Sequence, residues 1–163
     1  MPEENSLQLT DLLQQAQAAR LANQLDQAAH LLGVAFEKHP DALPVAWELA
    51  LLHQQRGEWP EARACLELIL AQEPLNAQAL NALGMAWQAQ RNLSQAIECW
   101  QKAVSINPEY ADVWQNIALA YEHLNQLPEA IAAHQRVVSL IPQDSKAHRL
   151  LGMAQLDYSL LPA

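Results

Sequence analysis

Residues 77–110 read AQALNALGMAWQAQRNLSQAIECWQKAVSINPEY. Leu80, Leu83 and Trp87 recur at steps of three and four, the spacing that lines up side chains on one face of a helix. Ile97, Trp100 and Val104 make a second stripe of the same kind. Between the stripes lie Asn92, which tolerates the left-handed conformation that ends a helix, and Ser94, which can start one. The stretch closes near Pro108, and proline ends helices because it lacks a donor and crowds the preceding turn. Two amphipathic helices joined by a tight turn form a hairpin, and each needs another apolar face to cover its own.

Read outward, the stretch repeats. Pro40, Pro74, Pro108 and Pro142 stand 34 residues apart. Proline is about 5% of average sequence, so three more at one fixed offset arise by chance about once in 10⁴. Ala28, Ala62, Ala96 and Ala130 keep the same phase, small enough to let two helices approach closely. Ala16, Ala50, Gly84, Ala118 and Gly152 form another set, and Leu49, Leu83, Ile117 and Leu151 a third. Turn formers recur at Asn23, Gly57, Asn92 and Asn125, followed by start signals at Asp26, Pro60, Ser94 and Pro128. The pattern predicts helices over 10–24, 26–39, 44–56, 60–72, 78–90, 94–106, 112–124, 128–140 and 145–158.

Leu80, Leu83, Gly84, Trp87, Ala96, Trp100, Ala103 and Pro108 fall at the spacing Trp-x2-Leu-Gly-x2-Tyr, then Ala-x3-Phe, then Pro. So do Trp114, Ile117, Ala118, Tyr121, Ala130, His134, Val137 and Pro142, while the two earlier units fit more loosely. With its 34-residue period, the chain resembles the tetratricopeptide repeat family from about Leu9 to its end. The resemblance implies an all-α fold, a right-handed solenoid of helical hairpins with four repeats and a C-terminal capping helix. The implied segments are an N-terminal tail over 1–8, repeats over 9–42, 43–76, 77–110 and 111–144, and a capping helix and tail over 145–163. In the cap, His148 and Gln155 replace the apolar residues that a following helix would cover.

Composition narrows function. Hydrophobic residues make up 51% of the chain, which suits a folded core. The net charge is -9 and the 9 basic residues are scattered, which disfavours nucleic acid and anionic membrane surfaces as partners. The start, Met1-Pro2-Glu3-Glu4-Asn5, lacks the basic and apolar regions of a signal peptide. No uninterrupted apolar run of membrane-spanning length occurs, so membrane insertion is not expected and the expected location is the cytoplasm.

Catalytic signatures are missing too: no Gly-rich phosphate loop, no His-Glu-x-x-His, no nucleophile elbow. No enzyme activity, cofactor or metal is expected. His53 and His134 fall at core aromatic places, and Glu58 and Glu61 near helix starts, where carboxylates complement the dipole. Cys65 and Cys99 stand 34 apart on equivalent helices, farther from each other than a disulfide allows, and read as reduced packing residues.

In the family that the chain resembles, the first helix of each repeat lines a concave groove where peptides bind. One place on that helix holds Gln17, Leu51, Met85, Leu119 and Met153; a neighbouring one holds Leu13, Trp47, Asn81, Gln115 and Arg149. Methionine adapts to varied partners, and tryptophan often anchors interfaces, which makes Trp47 the candidate anchor. The expected groove runs from apolar Leu13 and Trp47, through the amides Asn81, Gln115 and Asn116, to the cations Lys146 and Arg149, with Asp112 and Glu122 near enough to pair with those cations. Some members grip the C-terminal carboxylate of heat-shock chaperones with two Lys, two Asn and one Arg. Asn116 and Lys146 match that set, but Met85 stands where Asn is needed and Arg149 is displaced by one, which disfavours a chaperone adaptor. The expected partner is another protein, held through a peptide segment. The alternatives are a substrate-recruiting module of a larger glycosyltransferase, methyltransferase or sulfotransferase, and a weak homo-oligomer through stacked solenoid ends.

Overall fold

The phase of the sequence becomes a phase of backbone geometry. The structure, a computed structural model, describes residues 2–160, with side chains from residue 8 onward. Among these residues there are nine helices and no strand: α1 Pro2–Leu21, α2 Leu25–Lys38, α3 Leu43–Arg56, α4 Trp59–Gln72, α5 Ala77–Ala89, α6 Leu93–Ile106, α7 Ala111–His123, α8 Leu127–Leu140 and α9 Ser145–Ser159. Eight begin and end within a residue or so of their expected limits. The first differs: α1 starts at Pro2 rather than at residue 10, so residues 2–8 are helix and not the expected tail.

Each hairpin turns in the same way. Asn23, Gly57, Arg91 and Asn125, one per period, have φ of 60°, 75°, 61° and 56°. Around each, the next amide reaches back five residues: Gln24 N to Ala19 O, Glu58 N to His53 O, Asn92 N to Trp87 O and Gln126 N to Tyr121 O, at 2.8–3.0 Å. The left-handed residue's own amide bonds three residues back, to Arg20, Gln54, Gln88 and Glu122. These two bonds make a Schellman motif, which satisfies carbonyls left over at the helix end. The sequence places Asn92 as the third turn former, but Arg91 takes that conformation. Asn92 is instead the N-cap of α6, its Oδ1 accepting from Gln95 N at 3.3 Å. Nor do Asp26 and Ser94 cap their helices. Both lie inside the first turn, and Asp26 accepts from Arg56 at 2.7 Å.

The recurring proline sets the other end. His39, Glu73, Asn107 and Ile141 precede it and close α2, α4, α6 and α8 with φ between -140° and -123°. Their ψ lies between 67° and 90°, away from the helical region that a following proline ring disfavours for its neighbour. The carbonyl of the proline then serves the next repeat: Pro108 O accepts from Trp114 Nε1, and Pro142 O from His148 Nε2, both at 3.0 Å.

The chain divides into two compact units, residues 1–74 and 75–163. In the first, α1 packs on α2 and α3 on α4, with α3 also touching α1 and α2. Its first core cluster is Ala16, Ala19, Ala28, Leu32 and Leu52. In the second, α5 pairs with α6, α7 with α8, and α9 lies on α8. The helix-contact alanines Ala28, Ala62, Ala96 and Ala130 are all at 0% exposure, so their size sets the closeness of each hairpin. One turn further along the same helices stand Leu32, Leu66, Trp100 and His134, all fully buried. His134 occupies a core place, as the sequence predicts. Its Nε2 lies 2.9 Å from Glu122 Oε1, while its buried Nδ1 has no hydrogen-bond partner. The tautomer that donates from Nε2 leaves only a lone pair at Nδ1, the less costly group to bury unpaired.

Candidate partner-binding surface

On the first helix of each hairpin and on α9, the residues that the sequence nominates range from half-buried to exposed. In the first unit Trp47 and Leu51, one turn apart on α3, are half-buried. Leu13 is also half-buried, but it packs against the core cluster of the first hairpin. Beside them Arg20 Nε donates to Glu48 Oε2 at 3.1 Å, with side chains only 14% and 13% exposed.

In the second unit α5, α7 and α9 carry the corresponding residues. Met85 is 45% and Met153 55% exposed, while Leu119 is half-buried. A row of polar groups joins α5 to α7: Asn116 Nδ2 donates to Asn81 Oδ1 at 3.4 Å, and Asn81 Nδ2 donates to Tyr110 Oη at 3.4 Å. Asn81 is held from below as well, because its backbone oxygen accepts from Trp100 Nε1 at 3.2 Å. The amide pair thus has a fixed orientation. Tyr110 escapes sequence reasoning because it meets Asn81 across 29 residues, outside the 34-residue phase. Gln115 is half-buried on α7, and Lys146 and Arg149 are exposed on α9. The expectation that Glu122 pairs with those cations gives way to its bond with His134, and neither Lys146 nor Arg149 makes an ion pair among the described residues.

Chemistry elsewhere is sparse. Among the described residues no group of three His, Cys, Asp or Glu can hold a metal ion. Cys65 and Cys99 form no disulfide, and burial pushes the Cys65 thiol above its ordinary pKa, which lowers its reactivity. No described helix is long and apolar enough to cross a membrane.

Known proteins agree with this architecture. Three tetratricopeptide repeat models match the chain, over residues 19–86, 77–110 and 99–132. No curated protein matches it in sequence. Among solved structures it is similar to MamA, at 22% identity and a TM-score of 0.84 over 94% of this chain and 84% of that one. It is similar to YrrB, described as a TPR protein with an unusual peptide-binding site, at 18% identity and a TM-score of 0.75 over 91% and 76%. It is also similar to the first TPR of Spaghetti (RPAP3) bound to the HSP90 peptide SRMEEVD, at 21% identity and a TM-score of 0.65 over 72% and 95%. At such identities the likeness is one of fold. Repeat spacing, hairpin geometry and matching models together show that the chain belongs to the tetratricopeptide repeat family.

Proposed function

We propose that the protein is an interaction module that holds a segment of a partner protein against the open faces of its first helices. The observation that carries this reading is the state of the large apolar side chains there. The faces between helices are closed, with Leu66, Trp100 and Ile117 at 2% exposure or less. Met85 and Met153 stay open, and Trp47, Leu51 and Leu119 stay half-open. Large apolar side chains left open at matching places on the first helices of successive repeats suit a partner surface. The peptide named with the RPAP3 structure, and the site named for YrrB, support the same use of this fold. In this reading Leu13, Trp47 and Leu51 serve the first unit. Asn81, Met85, Gln115, Asn116, Leu119, Lys146, Arg149 and Met153 serve the second.

A pull-down from the native host, comparing wild type with Trp47→Ala and followed by calorimetry on the recovered partner, tests it. Truncating the anchor should weaken binding by about 2 kcal/mol or more and leave helical content unchanged. Unchanged affinity in a folded variant removes Trp47 from the site.

Self-association is a second reading, favoured by Leu156, Tyr158 and Leu160 on α9, which are 59%, 51% and 72% exposed. Light scattering over a concentration series decides it: a mass fixed at 18.1 kDa rules it out.

A further inference from the structure

In the first unit an ion pair closes the contact between the end of α1 and the middle of α3, Arg20 to Glu48. Three periods later the same two places hold Glu122 and Leu150. Here the carboxylate faces a leucine. A cleft of about 390 Å³ opens in its place, and its walls include Glu122, Asn125, Leu127, Leu150, Met153 and Asp157. Glu122 spends one oxygen on His134, yet its side chain remains 29% exposed. Asp157 is exposed and makes no ion pair among the described residues. Helix electrostatics explain neither acid, since both lie in the last turn of their helices, where a carboxylate opposes the dipole.

One period earlier, the equivalents of Glu122, Asn125, Leu127 and Asp157 are Gln88, Arg91, Leu93 and His123. These four line a cleft of about 450 Å³. The two clefts share their construction and differ in sign. Arg91 and His123 are exposed and, like Asp157, make no ion pair among the described residues.

We propose that these neighbouring clefts read the charge pattern of the bound segment. A Lys or Arg of the partner enters at Glu122 and Asp157, supplying the ion pair that Leu150 cannot make, while an Asp or Glu of the partner lies at Arg91 and His123. Leu150 and Met153 cover the methylene stem of the cation. The clefts lie one repeat apart; taking that step as about 10 Å, the upper end of ordinary interhelix spacing, and an extended chain as rising about 3.3 Å per residue, the two charges lie about three residues apart. The proposal rests on the reading that the second unit binds a partner segment, and it specifies that segment's chemistry.

The test titrates the full chain, by fluorescence anisotropy, against labelled peptides of one leucine-containing sequence. One pair carries Glu and Lys three residues apart, in either order; another peptide has Glu at both places, and a fourth has Lys at both. One mixed peptide should bind roughly three- to fivefold more tightly than either same-charge peptide, the range of exposed ion pairs. Asp157→Asn should abolish the advantage over the two-Glu peptide and keep the other advantage. Arg91→Asn should do the reverse; it installs the residue that Asn23 and Asn125 already use in that conformation. Equal binding of all four peptides overturns the charge readout and leaves the groove reading standing. A preference for the two-Lys peptide that survives Asp157→Asn is attraction to the net charge of -9 and also overturns it. If no peptide binds, this proposal fails, and the Trp47→Ala pull-down judges the groove reading separately.

Discussion

Gly84 shows how one residue is fixed by its neighbour in space. A Cβ there would lie 2.4 Å from Trp100 Nε1 and 2.6 Å from its Cδ1, closer than atoms approach. The indole is fully buried and tied to Asn81 O, so it has no free direction in which to yield. In the other complete repeats the facing residue is Leu32, Leu66 or His134, and the helix carries Ala16, Ala50 or Ala118 instead. Gly84→Ala should therefore destabilise the protein by about 1–3 kcal/mol, although alanine favours helix. Trp100→Leu in the same chain should relieve much of that cost, and a urea double-mutant cycle measures the coupling. Gly152 holds the same phase on α9, where no second helix follows, and a Cβ there meets nothing within 4 Å. Gly152→Ala should gain about 0.5–1 kcal/mol. Equal effects at the two glycines would contradict this account. Arg91 supplies the converse case, a side chain in a conformation that glycine occupies at Gly57. Arg91→Gly should raise stability by about 0.5–1 kcal/mol, the relief of left-handed strain less the entropy gained by the unfolded chain. A lower urea midpoint would show that the arginine side chain does something more useful than its backbone costs.

At the scale of the helix and the turn, the sequence was legible wherever a local rule acts alone. Proline confines the residue before it, so Pro40, Pro74, Pro108 and Pro142 located the ends of four helices. Apolar spacing located the helices themselves. The turn between α5 and α6 misled for a physical reason. Asn92 suits either the left-handed residue or the cap after it, and the fused motif needs both roles in adjacent places, so the neighbouring arginine was left with the strained one. The early start of α1 was hidden because residues 2–8 lack the apolar stripe that betrays a packed helix. Of the candidate surface, the sequence marked which residues share a place on the first helices, since that follows from phase. It did not mark the bond from Asn81 to Tyr110 or the bond from Glu122 to His134, which depend on side chains meeting out of phase.

Within each unit the contacts run mainly between helices that follow one another along the chain, so stability should approximate a sum over hairpins and their interfaces. The last helix then matters chiefly through α8, on which it packs. α9 buries Ala147 and Ala154 against the fourth repeat and leaves Leu151 half-buried, whereas His148 and Gln155 face water. Its outer face is polar where Trp114 and Tyr121 would stand in a complete repeat, as expected of a cap. Leu156 and Leu160 depart from that pattern, and the self-association experiment addresses them. Ending the chain after Asp144 would bare on the order of 300 Å² of apolar surface on α8 and its surroundings, worth up to ~7 kcal/mol before fraying relieves part of it. The truncated chain should melt at lower temperature and associate at concentrations where the full chain does not. Native-state hydrogen exchange gives the sharper reading. Amides of α7 and α8 should exchange faster, while those of α1 to α4 should be unaffected, because interface terms reach only adjacent repeats. Faster exchange throughout would mean that the repeats unfold as one cooperative body. An equally soluble, monomeric and heat-resistant truncation would mean that α9 caps nothing and is dispensable to the fold.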